Sequence, residues 1–193
     1  MAYQKKFVVN NETYIENLET PRLILRNWKR EDIEPFALLN SDPRVCEFLP
    51  NVITREETLA SLDKIQSHFS DFGFGLFAVE LRSTNKFIGF VGLKYFSFEA
   101  YFTPNVELAW RLSWEYWGQG LATEAAKKVT RYGFECLKLP EILAITAKNN
   151  KRSWRVMEKL GMTSNPEENF MHPQLDHRDP LAEHVLYLSL IHI

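Results

Sequence analysis

The chain has 193 residues, 45% of them hydrophobic and 25% charged, with a net charge of −2 at neutral pH. That length suits one sizeable core and is short for two domains, and the composition is too apolar for a disordered chain. The charge balance argues against nucleic acid and anionic membrane as partners, and no apolar run approaches the roughly 18 residues a spanning helix needs.

Near the N-terminus only Phe7-Val8-Val9 follows Lys5-Lys6, which is no signal-peptide core. Two distant cysteines, Cys46 and Cys136, form neither a disulfide framework nor a metal spacing, so a reduced, cytoplasmic protein is expected. Residues 1–17 lack a strong period and are taken as an N-terminal extension, leaving 18–193 as a single domain. Pro21 opens a short strand in which Leu23 and Leu25 alternate with Arg22, Ile24 and Arg26. Trp28–Asn40 is expected to be a helix with Glu31-Asp32 in its first turn, and Ser41–Pro50 a turn and short helix.

Thr54 with Glu57 three residues on is a capping box, predicting a helix to Phe69 with Leu59, Leu62, Ile65 and Phe69 on one face. Leu76–Leu81 and Phe87–Phe96 are expected to form a hairpin, and Val106–Leu112 a strand that sends Glu107, Ala109 and Arg111 to one face. Leu121–Leu137 carries the strongest helical period, on Leu121, Ala125, Val129, Tyr132 and Cys136. A strand at Ile142–Ala147, a helix at Ser153–Leu160 stopped by Gly161, a polar loop at Pro166–Asp179 and a strand at His184–Leu190 complete the chain. The expected fold is α+β, a mostly antiparallel sheet flanked by helices, with a β-α-β-α segment over 106–160.

Chemistry concentrates in "VELAWRLSWEYWGQGLATEAA", Val106–Ala126. A strand runs into a loop holding Gly118 and Gly120, and a long helix starts there. Unsatisfied first-turn N–H groups and the positive helix end make an anion site, and Thr123 adds a hydroxyl. The glycines match neither a Walker loop nor a dinucleotide fingerprint, and on their own they equally describe a plain turn.

Taken with "LETPRLILR", "SDPRVCEFLP", "FIGFVGL", "NNKRSWRVMEKLGM" and "DPLAEHVLYLSL", this segment resembles the GNAT superfamily of acetyl-CoA-dependent N-acetyltransferases. Within it, the branch of ribosomal-protein N-terminal (alanine/serine) acetyltransferases is the nearest in pattern, over roughly Leu18–Leu190. The resemblance implies acetyl-CoA as co-substrate, with Gly118, Gln119, Gly120, Leu121, Ala122 and Thr123 cradling its pyrophosphate. Trp117 stands where the family has Gln or Arg. The resemblance further implies that Trp110 and Leu112 bond the pantetheine arm, on a strand splayed from Ile142–Ala147, and that Asn150 of Asn150-Lys151-Arg152-Ser153 serves the same arm. By its position alone, Asn150 is equally an N-cap.

Transfer to an amine needs a neutral, oriented nucleophile and a stabilised oxyanion. Glu107 is the candidate base, with desolvation expected to raise its pKa, and pairing with Arg111 is the structural alternative. The family's tyrosine acid falls at Met157, so Ser153 is named in its place, with helix capping as its alternative role. An N–H near Leu112 is the expected oxyanion donor. The histidines at 172, 177, 184 and 192 match no zinc spacing, so no metal is expected, although His184 is a candidate for the acceptor side. Lys127, Lys128 and Arg131 read as a solvated face or as contacts to the cofactor's 3′-phosphate. Trp28, Phe48, Phe72, Phe74 and Phe96 read as core, with some in the acceptor cleft.

The expected activity is acetyl transfer to a primary amine. A protein N-terminal α-amine is the first choice, and a polyamine, amino acid or aminoglycoside the second. A non-catalytic acyl-CoA-binding module of the same fold and a purely structural interaction protein are the rivals. Homodimers are common in the family, and the 1–17 extension is available to pack on a second copy.

Overall fold

A computed structural model describes residues 7–9, 12–14 and 16–190. Phe7–Val9 (β1) and Glu12–Tyr14 (β2) form an antiparallel ribbon of their own, within the expected extension. The main sheet contains Leu18–Glu19 (β3), Leu23–Arg26 (β4), Leu76–Leu81 (β5), Lys86–Tyr95 (β6), Val106–Leu112 (β7), Glu141–Ala147 (β8), Phe170–Met171 (β9) and Glu183–Leu190 (β10). Its order is β3-β4-β5-β6-β7-β8-β10-β9. Every neighbouring pair is antiparallel except β7 and β8, which are parallel.

Four helices flank this sheet: Ile33–Ser41 (α1), Arg55–Phe72 (α2), Leu121–Glu135 (α3) and Lys151–Lys159 (α4). Alternation along the central strands builds the core. On one face Phe90 of β6 meets Phe36 of α1 edge-on at 5.9 Å. On the other, Phe77 of β5 meets Tyr132 of α3 at 6.1 Å, and Gly133 lets α3 approach Leu93 and Ile142. No helix among the described residues is long and apolar enough to cross a membrane.

The α+β architecture and the 106–160 segment match the expectation, while several boundaries move for local reasons. The helix expected from Trp28 begins at Ile33 after a single 3-10 turn, Arg30–Asp32. Asp32 closes that turn, its carboxylate accepting from the Lys29 amide at 2.8 Å and from Nη1 and Nη2 of Arg26 at 2.7 and 2.8 Å. Residues 42–50 form turns rather than a short helix, with Asp42 folding back on the Arg44 amide at 2.9 Å.

Thr54 caps α2 as the capping box requires, but the helix continues to Phe72, which is half exposed rather than core. α3 ends at Glu135, so Cys136 falls outside the apolar face and is exposed. α4 begins two residues early, at Lys151, because Asn150 rather than a later residue is its cap. The polar stretch after Pro166 contains β9, recruited as a two-residue edge on β10.

Candidate active site

β7 and β8 share a single residue pair, Glu107↔Leu143, before they part. On its other side β7 is fully paired with β6. Ser113 N–H donates to Ile88 O at 2.9 Å, and antiparallel pairs alternate, so the amides of 107, 109 and 111 face β6. Those of Trp110 and Leu112 therefore face the opening toward β8. The Leu112 carbonyl agrees with this orientation, since it accepts from Trp117 Nε1 at 2.8 Å. A cavity of about 990 Å³ runs along this opening and is lined by Glu107, Trp110, Leu112, Asn150 and Ser153 together with the glycine loop.

The loop places Gly118 and Gly120 at φ 72° and 77°, a conformation that side chains resist. A Cβ on Gly118 would meet nothing within 4 Å, so the close approach there is reserved for something other than protein. Gly120 is the N-cap of α3, and the next carbonyl-bonded amide is that of Glu124, donating to Gly120 O at 3.0 Å. The amides of Leu121, Ala122 and Thr123 thus have no helical acceptor, as expected for a first turn.

Gln119 is the exception among the expected loop residues and does not line the cavity. Its carbonyl accepts from Arg22 Nη1 at 2.9 Å and its side-chain amide donates to Glu115 O at 2.9 Å. Arg155 and Lys159 of α4 add positive charge to the cavity wall, and Arg152, paired with Glu47, lies over the Trp117 ring at 4.6 Å. Open amides, a cradle beside Gly118 and this positive wall fit a pyrophosphate-bearing thioester. Lys127, Lys128 and Arg131 do not line the cavity, and Arg131 pairs with Glu135 at 2.7 Å.

Asn150 is the N-cap of α4, its Oδ1 accepting from Ser153 N at 3.2 Å. Its Nδ2 donates to Thr146 Oγ1 and to Ser153 Oγ, both at 3.0 Å. Both amide hydrogens are therefore committed within the protein, and only a lone pair on Oδ1 remains for a ligand. Ser153 Oγ is an acceptor in this contact, which leaves its own hydrogen free to donate. Met157 sits in the core, 1% exposed.

Glu107 does not pair with Arg111. Its carboxylate meets Lys94 Nζ, across the β6–β7 ladder, at 2.8 Å and is 12% exposed. Arg111 instead donates from Nη1 to Asn40 Oδ1 at 2.7 Å, lies 5.4 Å over the Phe90 ring, and has its pKa pushed down by burial. Among the described residues, Glu107 is the one carboxylate lining the cavity.

Several cavity residues carry no sequence signal. His68 of α2 accepts from Tyr95 N–H at Nε2 (3.0 Å), so its hydrogen is on Nδ1, directed to Phe74 O at 2.7 Å. His172 and His184 lie together, ring centroids 4.8 Å apart. No third His, Cys, Asp or Glu among the described residues joins them in a metal-binding group. Helical or strand periodicity reports one element at a time, so it could not find a pair made by β9 folding onto β10.

The chain matches the acetyltransferase (GNAT) domain model over residues 22–163. It is 32% identical over 148 residues to YnaD of Bacillus subtilis (strain 168), an uncharacterized N-acetyltransferase, covering 76% of this chain and 82% of that protein. A GNAT-family acetyltransferase structure from Bacillus anthracis superposes with a TM-score of 0.74 at 29% identity, covering 91% of this chain and 99% of the other. The structure of RimL, a ribosomal L7/L12 alpha-N-protein acetyltransferase in complex with coenzyme A, shares the fold with a TM-score of 0.72 at 14% identity, over 91% and 98% of the two chains. The split strands, the glycine loop at the head of α3 and these matches together identify the chain as a member of the GNAT acetyltransferase family, an acyltransferase.

Proposed function

We propose that this chain is an acetyl-CoA-dependent enzyme that acetylates an N-terminal α-amine of a protein or peptide by direct transfer. The observation that carries the acceptor class is Glu107, among the described residues the one carboxylate in the cavity wall, already paired with Lys94. Lys64, Lys94 and Arg111 also line the cavity. A polyamine brings several positive charges and finds no acidic surface there. An α-amine has an ordinary pKa near ~8, against ~10.4 for an alkylamine, and so is partly neutral before any base acts. It needs no strong base.

In this mechanism the amides of the Gly118–Thr123 segment hold the pyrophosphate, and bound acetyl-CoA supplies the activated acetyl group. The amides of Trp110 and Leu112 hold the pantetheine arm, and the Leu112 N–H is the oxyanion donor. Glu107 accepts a proton from the amine. Ser153, whose hydrogen is free, assists the departing thiolate, which needs little help given a thiol pKa near ~8.5. The catalytic unit is residues 18–193, supported by the family match over 22–163, with 1–17 as an extension.

The test is turnover of acetyl-CoA with Ser- and Ala-initiated tetrapeptides, spermidine and free amino acids. Peptide turnover well above spermidine supports the reading, and the reverse order overturns it. Glu107→Gln should lower kcat by about 10²-fold while acetyl-CoA affinity holds. Wild-type kcat in that variant removes Glu107 as base.

A further inference from the structure

An ammonium acceptor sheds two protons on its way to an amide, one before attack and one as the tetrahedral adduct collapses. One of them neutralises the departing thiolate and the other leaves the site. Glu107, held by Lys94, accounts for a single acceptor. His184 faces the same cavity from the far side of the split. It is the second residue of β10, opposite Ala147 of β8, and is half-buried.

Its tautomer is set by its own backbone. Nδ1 lies 3.2 Å from the Ala182 carbonyl, which only accepts, so Nδ1 carries the hydrogen and Nε2 a lone pair. The neighbouring His172 is arranged the opposite way. Gln174 N–H donates to its Nδ1 at 3.3 Å, so its hydrogen is on Nε2. Phe98 packs on His172 at 4.6 Å and Phe170 on His184 at 5.8 Å, giving the pair an apolar flank.

We propose that His184 is a second catalytic base, a role that rests on the acetyltransferase reading with Glu107 above. The bond from the acceptor nitrogen to the acetyl carbon forms and the carbon–sulfur bond breaks, its electron pair leaving on sulfur. Of the two protons lost by nitrogen, Glu107 and Nε2 of His184 take one each. One then passes to the thiolate and the other to solvent.

The charged and titratable groups around His184 agree with a neutral, proton-accepting ring. Burial lowers its pKa, opposed by the Ala182 carbonyl and by Glu107 of β7. Burial, then His184 and Lys94 of β6, push His172, just past β9, down to about 4. Lys148, just past β8, is taken up by Glu183 at 2.6 Å.

Two measurements decide this. The first is 15N NMR of the histidine rings in the full chain. At pH 7.5, Nε2 of His184 should be unprotonated and should titrate below 6.5, whereas a protonated Nε2 overturns the proposal. The second is kinetics of His184→Gln and His184→Ala with acetyl-CoA and the peptide Ser-Ala-Ala-Ala, alongside thermal unfolding to verify the fold. Expected are a kcat loss of about 10²-fold, an unchanged KM for acetyl-CoA, and recovery of the alanine variant by added imidazole. Wild-type kcat, or no recovery with imidazole in a folded variant, overturns it. A wild-type protein that acetylates no amine overturns the acceptor reading instead, and the tautomer then decides His184 alone.

Discussion

Arg22 and Glu124 lie 102 residues apart in sequence and meet at 2.6 Å, Nε against Oε2, tying the segment before β4 to the first turn of α3. The same carboxylate accepts from Thr20 Oγ1 at 2.6 Å and from the Arg22 amide at 3.0 Å, while Arg22 Nη1 holds the Gln119 carbonyl. Arg22 is thus a brace for the loop between Gly118 and Gly120. Glu124→Gln keeps the shape and removes the charge. The expected outcome is a KM for acetyl-CoA raised about tenfold with kcat little changed, since a charge-assisted hydrogen bond contributes about 1.5–3 kcal/mol.

The same pair makes a prediction about acid. Desolvation pushes the Glu124 carboxyl up, but the hydrogen bonds from Thr20 and Arg22 outweigh it and the pKa lies below 4.5. A lowered folded pKa contributes stability that is complete above the ordinary value and is lost as pH falls through the folded one. Urea unfolding of wild type and Glu124→Gln should therefore differ most above pH 4.5 and converge as pH drops below it.

His172 acts in a different window. Its pKa is lowered to about 4 from 6.5, so between those values the unfolded chain binds a proton that the folded one refuses. Stability accordingly falls as pH drops from 6.5 toward 4, and His172→Phe should flatten that slope. An unchanged slope in the variant would place the acid sensitivity elsewhere.

Arg26 lies almost wholly buried between Asp32 and Glu80, at 2.7 and 2.6 Å. Asp32→Ala leaves Arg26 paired with Glu80 at Nε but strips the buried Nη2 of its acceptor, so it should cost about 1–3 kcal/mol in equilibrium unfolding. This site is remote from the cavity, and acetyl-CoA affinity of the folded fraction should be unchanged.

Gly118→Ala tests the loop without a clash, because the added Cβ meets no protein atom within 4 Å. Its cost is the left-handed backbone at φ 72°, about 1–2 kcal/mol. Acetyl-CoA binding should weaken by more than that strain explains, as measured by isothermal titration, since the methyl group occupies the side of the cradle facing the ligand.

What the sequence disclosed follows a physical boundary. Elements whose residues determine them locally were legible, such as α2 from Thr54 and Glu57, β7 from its alternation, and the glycine loop from its join of strand to helix. The start of α1 was not, because Asp32 answers to Arg26 on another element. The alternative that paired Glu107 with Arg111 fails for the same reason. Arg111 is its neighbour along one strand, whereas Lys94 lies opposite it across the ladder, and cross-strand register depends on how the β6–β7 connection is made. Arg22, His68 and His172 act through contacts with distant segments, and single-element periods are silent about those. Gln119 fits the loop pattern yet faces away, because a pattern fixes backbone positions and not the direction of each side chain.

The single residue pair joining β7 to β8 has a mechanical consequence. Beyond Glu107 the sheet is two separate ribbons, and the amides of Trp110 and Leu112 line an unstitched seam. A pantetheine chain in that seam, as proposed, would stand in for a missing strand, supplying polar groups to one lip while its bulk kept the lips apart. Donor binding would then be an act of sheet completion, and backbone amides far from the acetyl group, along β8 and β10, would exchange their hydrogens more slowly once the seam is closed.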